Sequence, residues 1–374
     1  MNFTLTSTAL SSRLQAIGRV ISSKNNIPAL ECFLFEIENN TLRLTASDGE
    51  TTLTTTLELI NSSENSRFAI NAKTIQDAMK EIPEQPLTFD INTNTMEIVV
   101  MYQNGKYSII GQNADEYPTT MTLEESASSM TIQSDILLSS INRAIFATAE
   151  DDLRPVMTGL YFDLTTENLT IVASDGHKLV YSKSLTTQGN SNASFILRKK
   201  PATLLKNLLG KEHHTVTIRF NERNAEFLME GSRMVCRLIE GKYPNYNSVI
   251  PQDNPNCVTV DRGVMLSALR RVTIFSNPTS TLVKLNMNTN QMTISSQDID
   301  FSMSAEETLV CDYTGIPMSI GFKGTFLVDI LNNLSSENVI IKLADPSRAG
   351  VIVPAEQPEN ENILMLLMPM MLSD

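Results

Sequence analysis

The sequence predicts an α+β chain in which one unit of about 125 residues occurs three times. Three observations predict it: a pair of alternating strands that recurs on a fixed ruler, helix-period segments at matching places around that pair, and opposite charge balances in the two kinds of segment. Phe33, Phe35 and Ile37 alternate with other residues, Leu42 and Leu44 follow, and Asp48 comes four after Leu44. The same spacing fits Leu160, Phe162, Leu164, Leu169, Ile171 and Asp175, and again Val283, Leu285, Met287, Met292, Ile294 and Asp298. The offsets are 127 and 123, and a proline stands five residues ahead of each copy (Pro28, Pro155, Pro278). A period of two marks half-buried strands, so each copy reads as a hairpin.

The flanks repeat more loosely. A helix-period stripe precedes each proline: Leu10, Leu14, Ile17 and Ile21, then Leu138, Ile141 and Ile145, then Leu266, Leu269 and Val272. After each hairpin comes a short strand and a helix opening on a lysine: Phe68 to Ile82 with Lys73, Phe195 to Leu209 with Lys199, Ile320 to Leu334 with Lys323. Two further strand-like runs close each copy, Leu87 to Ile110, Val216 to Ile239 and Val339 to Met370. The expected domains are therefore 1–124, 125–252 and 253–374, each with two helices and about eight strands, strand–helix–strands occurring twice. No Gly/Ser- or Pro-rich linker separates them, which favours edge-to-edge packing over beads on a string.

Composition narrows the function classes. The 374 residues exceed what one core supports, and 41% hydrophobic with 19% charged residues excludes a disordered polyelectrolyte. Met1 to Thr6 lacks the basic and apolar regions of a secretory signal, and Ile363 to Leu372 is too short to cross a bilayer as a helix. Cys32, Cys236, Cys257 and Cys311 are widely spaced, so buried reduced thiols in a cytoplasmic protein are expected. The three histidines have no partner at metal-ligand spacing, so no metal is expected.

The formal net charge of −13 argues against an ordinary nucleic-acid binder, but it is an average. Helix segments 7–24, 71–81, 134–149, 198–212, 261–276 and 323–334 sum to +9, and the remainder to −22. For one helix this would be an ordinary solvated face; six set out by a repeat suggest a positive track suited to phosphates without sequence reading.

The pieces Leu153-Arg154-Pro155-Val156-Met157-Thr158-Gly159, Ala173-Ser174-Asp175-Gly176-His177-Lys178-Leu179, Gly241-Lys242-Tyr243-Pro244-Asn245-Tyr246 and Leu367-Met368-Pro369-Met370-Met371-Leu372 carry a resemblance. With the threefold repeat, the chain resembles the bacterial DNA polymerase III beta subunit family, the sliding clamps, over essentially its whole length. The resemblance implies the DNA clamp fold, with helices lining the inside and sheets forming the rim of a dimeric ring. It implies a non-catalytic processivity factor of DNA replication, cytoplasmic and without cofactor. The implied partners are encircled double-stranded DNA, the replicative polymerase, the clamp loader, other proteins with a clamp-binding motif and a second copy of the chain, with no membrane.

Site residues follow from the same resemblance. A peptide pocket is implied at Met157, Ser174, Gly176, His177, Lys178, Leu179, Pro244, Val249, Leu366, Leu367, Met368, Pro369 and Met370. Lys24, Lys73, Arg198 and Lys199 match DNA-facing positions, and Tyr107 and Ile109 would meet Ile274 and Phe275 of a second copy. Many relatives have an arginine near Ser248 and another where Met371 stands, and Pro155 and Val156 replace a tyrosine pair that contacts DNA in some of them. Two other readings remain open. A hydrolase could use Asp175 and His177, although the aspartate recurs as Asp48 and Asp298 and reads as a structural turn. A peptide adaptor would share the pocket without forming a ring.

Overall fold

The computed structural model describes residues 1–22, 27–151, 153–210 and 214–372. The first repeat holds β1 (Asn2–Thr6), α1 (Ser7–Gly18), β2 (Cys32–Glu38), β3 (Thr41–Ser47), β4 (Thr51–Glu58), β5 (Asn61–Ser62), β6 (Ser66–Asn71), α2 (Ala72–Lys80), β7 (Pro86–Asn92), β8 (Glu97–Tyr102) and β9 (Gly105–Ile110). The second holds β10 (Ser128–Gln133), α3 (Ser134–Ala144), β11 (Gly159–Leu164), β12 (Leu169–Ser174), β13 (Lys178–Ser184), β14 (Ala193–Arg198), α4 (Lys199–Leu208), β15 (Thr215–Phe220), β16 (Asn224–Met229) and β17 (Ser232–Arg237). The third holds β18 (Asn256–Asp261), α5 (Arg262–Thr273), β19 (Leu282–Asn288), β20 (Gln291–Asp298), β21 (Met303–Val310), β22 (Met318–Lys323), α6 (Gly324–Asn332), β23 (Asn338–Leu343), β24 (Gly350–Pro354) and β25 (Glu361–Leu367). Strand–helix–strands thus occurs twice per repeat.

The ruler seen in the sequence is a ladder register. Phe35 lies opposite Leu44, Phe162 opposite Ile171, and Leu285 opposite Ile294. In the first copy the hairpin turns through Asn39 and Asn40, both at positive φ (48° and 63°), the geometry that matches strand twist and that asparagine tolerates. The helices are shorter than the expected segments 7–24 and 261–276. α1 stops at Gly18 instead of running past Ile21, and α5 ends at Thr273, leaving Ile274 and Phe275 beyond its last turn. Glycine is a poor helix interior residue, and a Cβ at Gly18 would lie 2.3 Å from Gln76 Nε2. α2 and α5 start on side-chain caps, Asn71 accepting from the Thr74 amide at 3.1 Å and Asp261 from the Val264 amide at 2.7 Å.

The strands form four sheets, ordered β5-β1-β7-β8-β9, β10-β15-β16-β17-β4-β3-β2-β6, β14-β11-β12-β13-β25-β24-β23-β18 and β21-β20-β19-β22. Each eight-stranded sheet joins four strands of one repeat to four of the next. The junctions are antiparallel: β17 on β4, with Met234 opposite Leu53, and β25 on β13, with Met365 opposite Val180. These junctions explain why contacts sort the chain into two compact units, 1–135 with 203–238 and 136–202 with 239–374. The halves of the central repeat each complete a sheet with a different neighbour.

The core of the first unit includes stacked rings, Phe3 on Phe89 (4.7 Å between centroids) and Phe35 on Phe68 (5.2 Å). In the second unit, α5 and α6 bury Met265, Leu269, Leu327 and Leu331, and Phe162 stacks on Phe195 at 4.5 Å. The four cysteines are unpaired. Three are buried as expected, but Cys257 is exposed, because alternation along β18 turns it outward between buried Asn256 and Val258. Among the described residues no helix is long and apolar enough to cross a membrane.

Glu226, only 3% exposed beside the β17 junction, bridges two arginines: its Oε2 accepts from Arg219 at 3.0 Å and its Oε1 from Arg233 Nε at 2.6 Å. Removing the carboxylate takes an acceptor from both guanidinium groups and leaves Arg219 its bond to the Glu124 carbonyl at 2.9 Å. Because both arginines are about a third exposed, Glu226→Ala is expected to cost roughly 2 kcal/mol, below the ~3–5 of a fully buried broken pair. Urea unfolding followed by circular dichroism reads this as an earlier first transition, with Glu226→Gln intermediate.

Candidate functional site

The turn between β12 and β13 is built by Ser174, Asp175 and Gly176. Gly176 has φ +89°, and a Cβ there would lie 2.6 Å from an Arg154 nitrogen. Asp175 Oδ1 accepts from the amides of His177 (2.8 Å) and Lys178 (2.9 Å), and Oδ2 from Lys178 Nζ at 2.5 Å. The Ser174 hydroxyl donates to the Lys178 carbonyl at 2.9 Å and accepts from the Gly176 amide at 3.2 Å. Asp48 accepts likewise from Glu50 and Thr51, and Asp298 from Asp300 and Phe301, so the repeated aspartate is a turn residue. Burial acts to raise the pKa of Asp175, but the Lys178 amine and the two amides outweigh it and hold the carboxyl below its usual range. His177 is exposed and meets Asp175 through its backbone, which leaves the hydrolase reading without its acid–base pair.

Lys178 is buried, its amine 3.9 Å from the centroid of the Phe326 ring on α6. Burial raises the neighbouring Asp329 carboxyl, and the Lys178 charge partly opposes it. β25 lies alongside, Leu366 opposite Leu179 and Leu367 opposite Lys178. Beyond it the tail is stitched down twice: the Met368 amide donates to the His177 carbonyl and the Met370 amide to the Gly321 carbonyl, both at 2.8 Å. The second approach needs glycine, since a Cβ on Gly321 would stand 2.7 Å from the Met370 oxygen. Val172, Leu179, Ile196, Tyr243, Tyr246, Ala349 and Leu366 form one apolar cluster here, with Tyr161 and Tyr181 packed against it. Tyr161 stacks on Tyr243 at 4.6 Å, and the Tyr246 hydroxyl donates to Asp163 at 2.6 Å.

The residues implied as a pocket therefore divide. Met157, Ser174, Lys178, Leu179, Leu366 and Leu367 are buried framework. Gly176, His177, Pro244, Val249 and Met368 are exposed, and Pro369 and Met370 are half-buried, so these form the reachable surface. Met157 lies at the short helical turn Pro155–Thr158, its carbonyl accepting from the Ala149 amide at 2.9 Å. Sequence reasoning missed the tyrosines at 161, 181 and 246, although the alternation that buries Leu160 and Val180 already turns the first two outward.

The residues expected at a chain–chain contact sit at outer sheet edges. Tyr107 and Ile109 are half-buried on β9, the last strand of its sheet. Ile274 and Phe275 are 72% and 38% exposed at the end of α5, which packs on β21, the edge of another sheet. The neighbouring turn adds Ile299 (80%) and Phe301 (70%), which sequence reasoning did not single out. Arg271 forks onto Glu307 of β21 with two 2.7 Å bonds.

Of the implied DNA-facing residues, Lys73 is exposed in the first turn of α2, and Arg198 and Lys199 are exposed where β14 meets α4. Lys199 donates to Glu150 at 3.2 Å. Lys24 lies outside the described residues. The six helices carry ten Lys+Arg against three Asp+Glu, but unevenly: α4 and α5 supply six of the ten, α3 is balanced, and α6 holds only Asp329. The expectation of one bias shared by all six is corrected to that extent.

Comparison with known proteins agrees with this arrangement. Models of the DNA polymerase III beta subunit match the chain as N-terminal domain over residues 1–122, central domain over 131–245 and C-terminal domain over 247–371. The chain belongs to the DNA polymerase III beta subunit family. It is thus built of three domains of the clamp fold, in a family of non-catalytic processivity factors, the sliding clamps. Among similar beta sliding clamps, that of Haemophilus influenzae is 28% identical over 98% of this chain and 99% of its own length. That of Pseudomonas putida is 26% identical over the whole of both chains. The solved Pseudomonas aeruginosa DnaN sliding clamp bound to griselimycin superposes with a TM-score of 0.94 at 24% identity, covering both chains fully. The Thermotoga maritima DNA polymerase III beta subunit does so at 0.90 and 24%.

Within the beta-subunit site, the Asp175 turn has a definite pH signature. A carboxyl whose pKa is lowered by folding contributes stability that is present above its unfolded value, near 3.9, and is lost as pH falls through the lower folded value. The stability gap between the wild type and Asp175→Asn is therefore expected to hold from pH 7 to about 5 and to narrow below about pH 4. Urea midpoints of both proteins across that range check it.

Proposed function

We propose that two copies of the chain close head to tail into a ring that encircles duplex DNA and tethers the replicative polymerase. One observation carries this reading. β9, β17 and β25 are the same last strand of successive repeats, and β4, β13 and β21 the same hairpin strand. Within the chain β17 takes β4 and β25 takes β13, while β9 and β21 are left as edges. A second copy supplies the missing partner twice over, which satisfies both edges and closes the assembly. On this reading the domains are 1–124, 125–252 and 253–374, and six of them make the ring.

The intrachain junctions also give a register. Met234 faces Leu53 and Met365 faces Val180, whose counterparts are Tyr107 and Ala305. On that register Ile109 would lie opposite Met303, and Lys106 opposite Glu306 on the solvent face. Lys73, Arg198 and Lys199 would then face the duplex, holding it by screened attraction to the phosphate backbone. The clamp loader and other proteins with a clamp-binding motif would dock on the surface formed by His177, Pro244, Val249, Met368, Pro369 and Met370. Exposed methionines suit a site that accepts several peptides. The protein is read as cytoplasmic.

The wild type is expected to sediment at twice 41.5 kDa, and Phe275→Asp as a monomer. Lys106→Glu weakens the dimer, and adding Glu306→Lys restores it. After loading on circular DNA, the dimer stays bound until the circle is cut. Equal loss from intact circles would refute encirclement. Removing the chain from Met368 onward, which leaves the β25 ladder whole, is expected to lower partner-peptide affinity at least about tenfold with the dimer intact, measured by fluorescence anisotropy. Undiminished peptide binding would refute the pocket.

A further inference from the structure

The two intrachain junctions are built alike but finished differently. Beside the β25 junction, one row across the strands reads Tyr161, Val172, Tyr181, Leu364, and its tyrosines fill the space over the sheet with the Tyr243 and Tyr246 rings. Beside the β17 junction the equivalent row, 127 residues earlier on the hairpin strands, reads Leu34, Thr45, Thr54, Arg233. Leucine replaces the first tyrosine, threonine the second, and Thr120 stands at the place of Tyr246. The result is an open groove of about 720 Å³ in the first unit, lined by these residues with Arg43, Thr56, Arg67 and Met229. A hollow of about 630 Å³ sharing Glu36, Arg43, Thr56 and Arg67 continues it.

The next row makes the groove basic. Its members are Arg67, Glu36, Arg43 and Thr56, where the other junction has Ser194, Asp163, Thr170 and Lys183. Glu36 is taken by Arg67 Nε at 3.0 Å, so Arg43, directly across from Glu36, is exposed without an ion-pair partner among the described residues. Arg233 uses Nε for the Glu226 carboxylate at 2.6 Å, which leaves its terminal nitrogens for another acceptor, whereas Arg67 meets Glu36 through Nε at 3.0 Å and has a terminal nitrogen 4.0 Å from the exposed Asp115 carboxylate. Groove and hollow together are lined by three guanidinium groups against two carboxylates, Glu36 and Glu38, and Arg43 is the guanidinium left for an incoming carboxylate on a chain of net charge −13.

We infer that this groove is a second docking site, distinct from the Met368 surface, for an extended acidic peptide segment of a partner protein. Arginine forks fit carboxylates, and threonine hydroxyls offer further hydrogen bonds. A single-stranded nucleic acid fits less well, because the groove presents no exposed aromatic ring for base stacking; Tyr117 on its wall is buried.

The test uses the full chain and a fluorescein-labelled hexapeptide of alternating Glu and Val, read by anisotropy at low salt. The matching Gln-Val peptide and a labelled eight-residue oligothymidylate are the comparison probes. The acidic peptide is expected to bind at least about tenfold more tightly than either. Arg43→Glu, at an exposed position, weakens it by about tenfold, and Thr54→Tyr, which copies the filling tyrosine of the other junction, abolishes it. No binding of the acidic peptide, equal binding of the Gln-Val peptide, or indifference to Arg43→Glu would overturn the inference. Tighter binding of the oligonucleotide would overturn it in favour of nucleic acid.

Discussion

The structure depends on one interaction used repeatedly: the last strand of a repeat pairing antiparallel with the hairpin strand of the repeat before it. Backbone hydrogen bonds supply this joint, so it tolerates change in the side chains around it, and the two joints in the chain share a ladder while differing in surface chemistry. It also divides the central repeat between two compact units, since each half is bound more extensively to a neighbour than to the other half. A joint of this kind has a consequence at the ends of the chain. Three repeats in a row make two joints and leave one strand of each type unused, and an unused long edge must be covered or it invites uncontrolled pairing.

The site beside the second joint grows from the same economy. The Asp turn is common to all three repeats, yet only in the central one does it carry a lysine that is buried under a ring of α6 and a histidine whose carbonyl holds the tail. What the repeats share is structure, and what distinguishes one copy is where binding surfaces arise. The tyrosines that fill the second joint and the arginines that leave the first open are both departures of this kind.

Much of the fold was legible because strand alternation and repeat spacing are properties of the chain alone: the hairpin ruler became the ladder register with its offsets of 127 and 123. Helix ends were less legible. The first apolar stripe continues to Ile21 but a glycine ends α1, and the helix expected to run to 276 stops at Thr273, where Ile274 and Phe275 serve an exposed surface instead of a core. The candidate pocket was legible only through resemblance, since its residues come from four separate stretches. Which of them are framework and which reachable depends on β25 entering the sheet, something no local pattern records. The third hairpin also departs from the ruler. Asp298 itself enters the ladder opposite Met303, whereas Ser47 and Ser174 take that place in the other copies. That extra rung shifts β21 by two residues relative to its counterparts, and a sequence ruler cannot see it.

Charge follows the same logic of elements over averages. A chain of net −13 has helices richer in lysine and arginine than in acids, with α4 and α5 the main source. Phosphates would meet those helices, while the acidic strands and loops discourage binding elsewhere. The most direct measurement is amide hydrogen exchange at the outward-facing groups of β9 and β21, compared between the wild type and Phe275→Asp. Closure by a third strand joint predicts protection of both edges in the wild type and its loss in the variant. Rapid exchange at both edges in the wild type, at concentrations where it is dimeric, would contradict it.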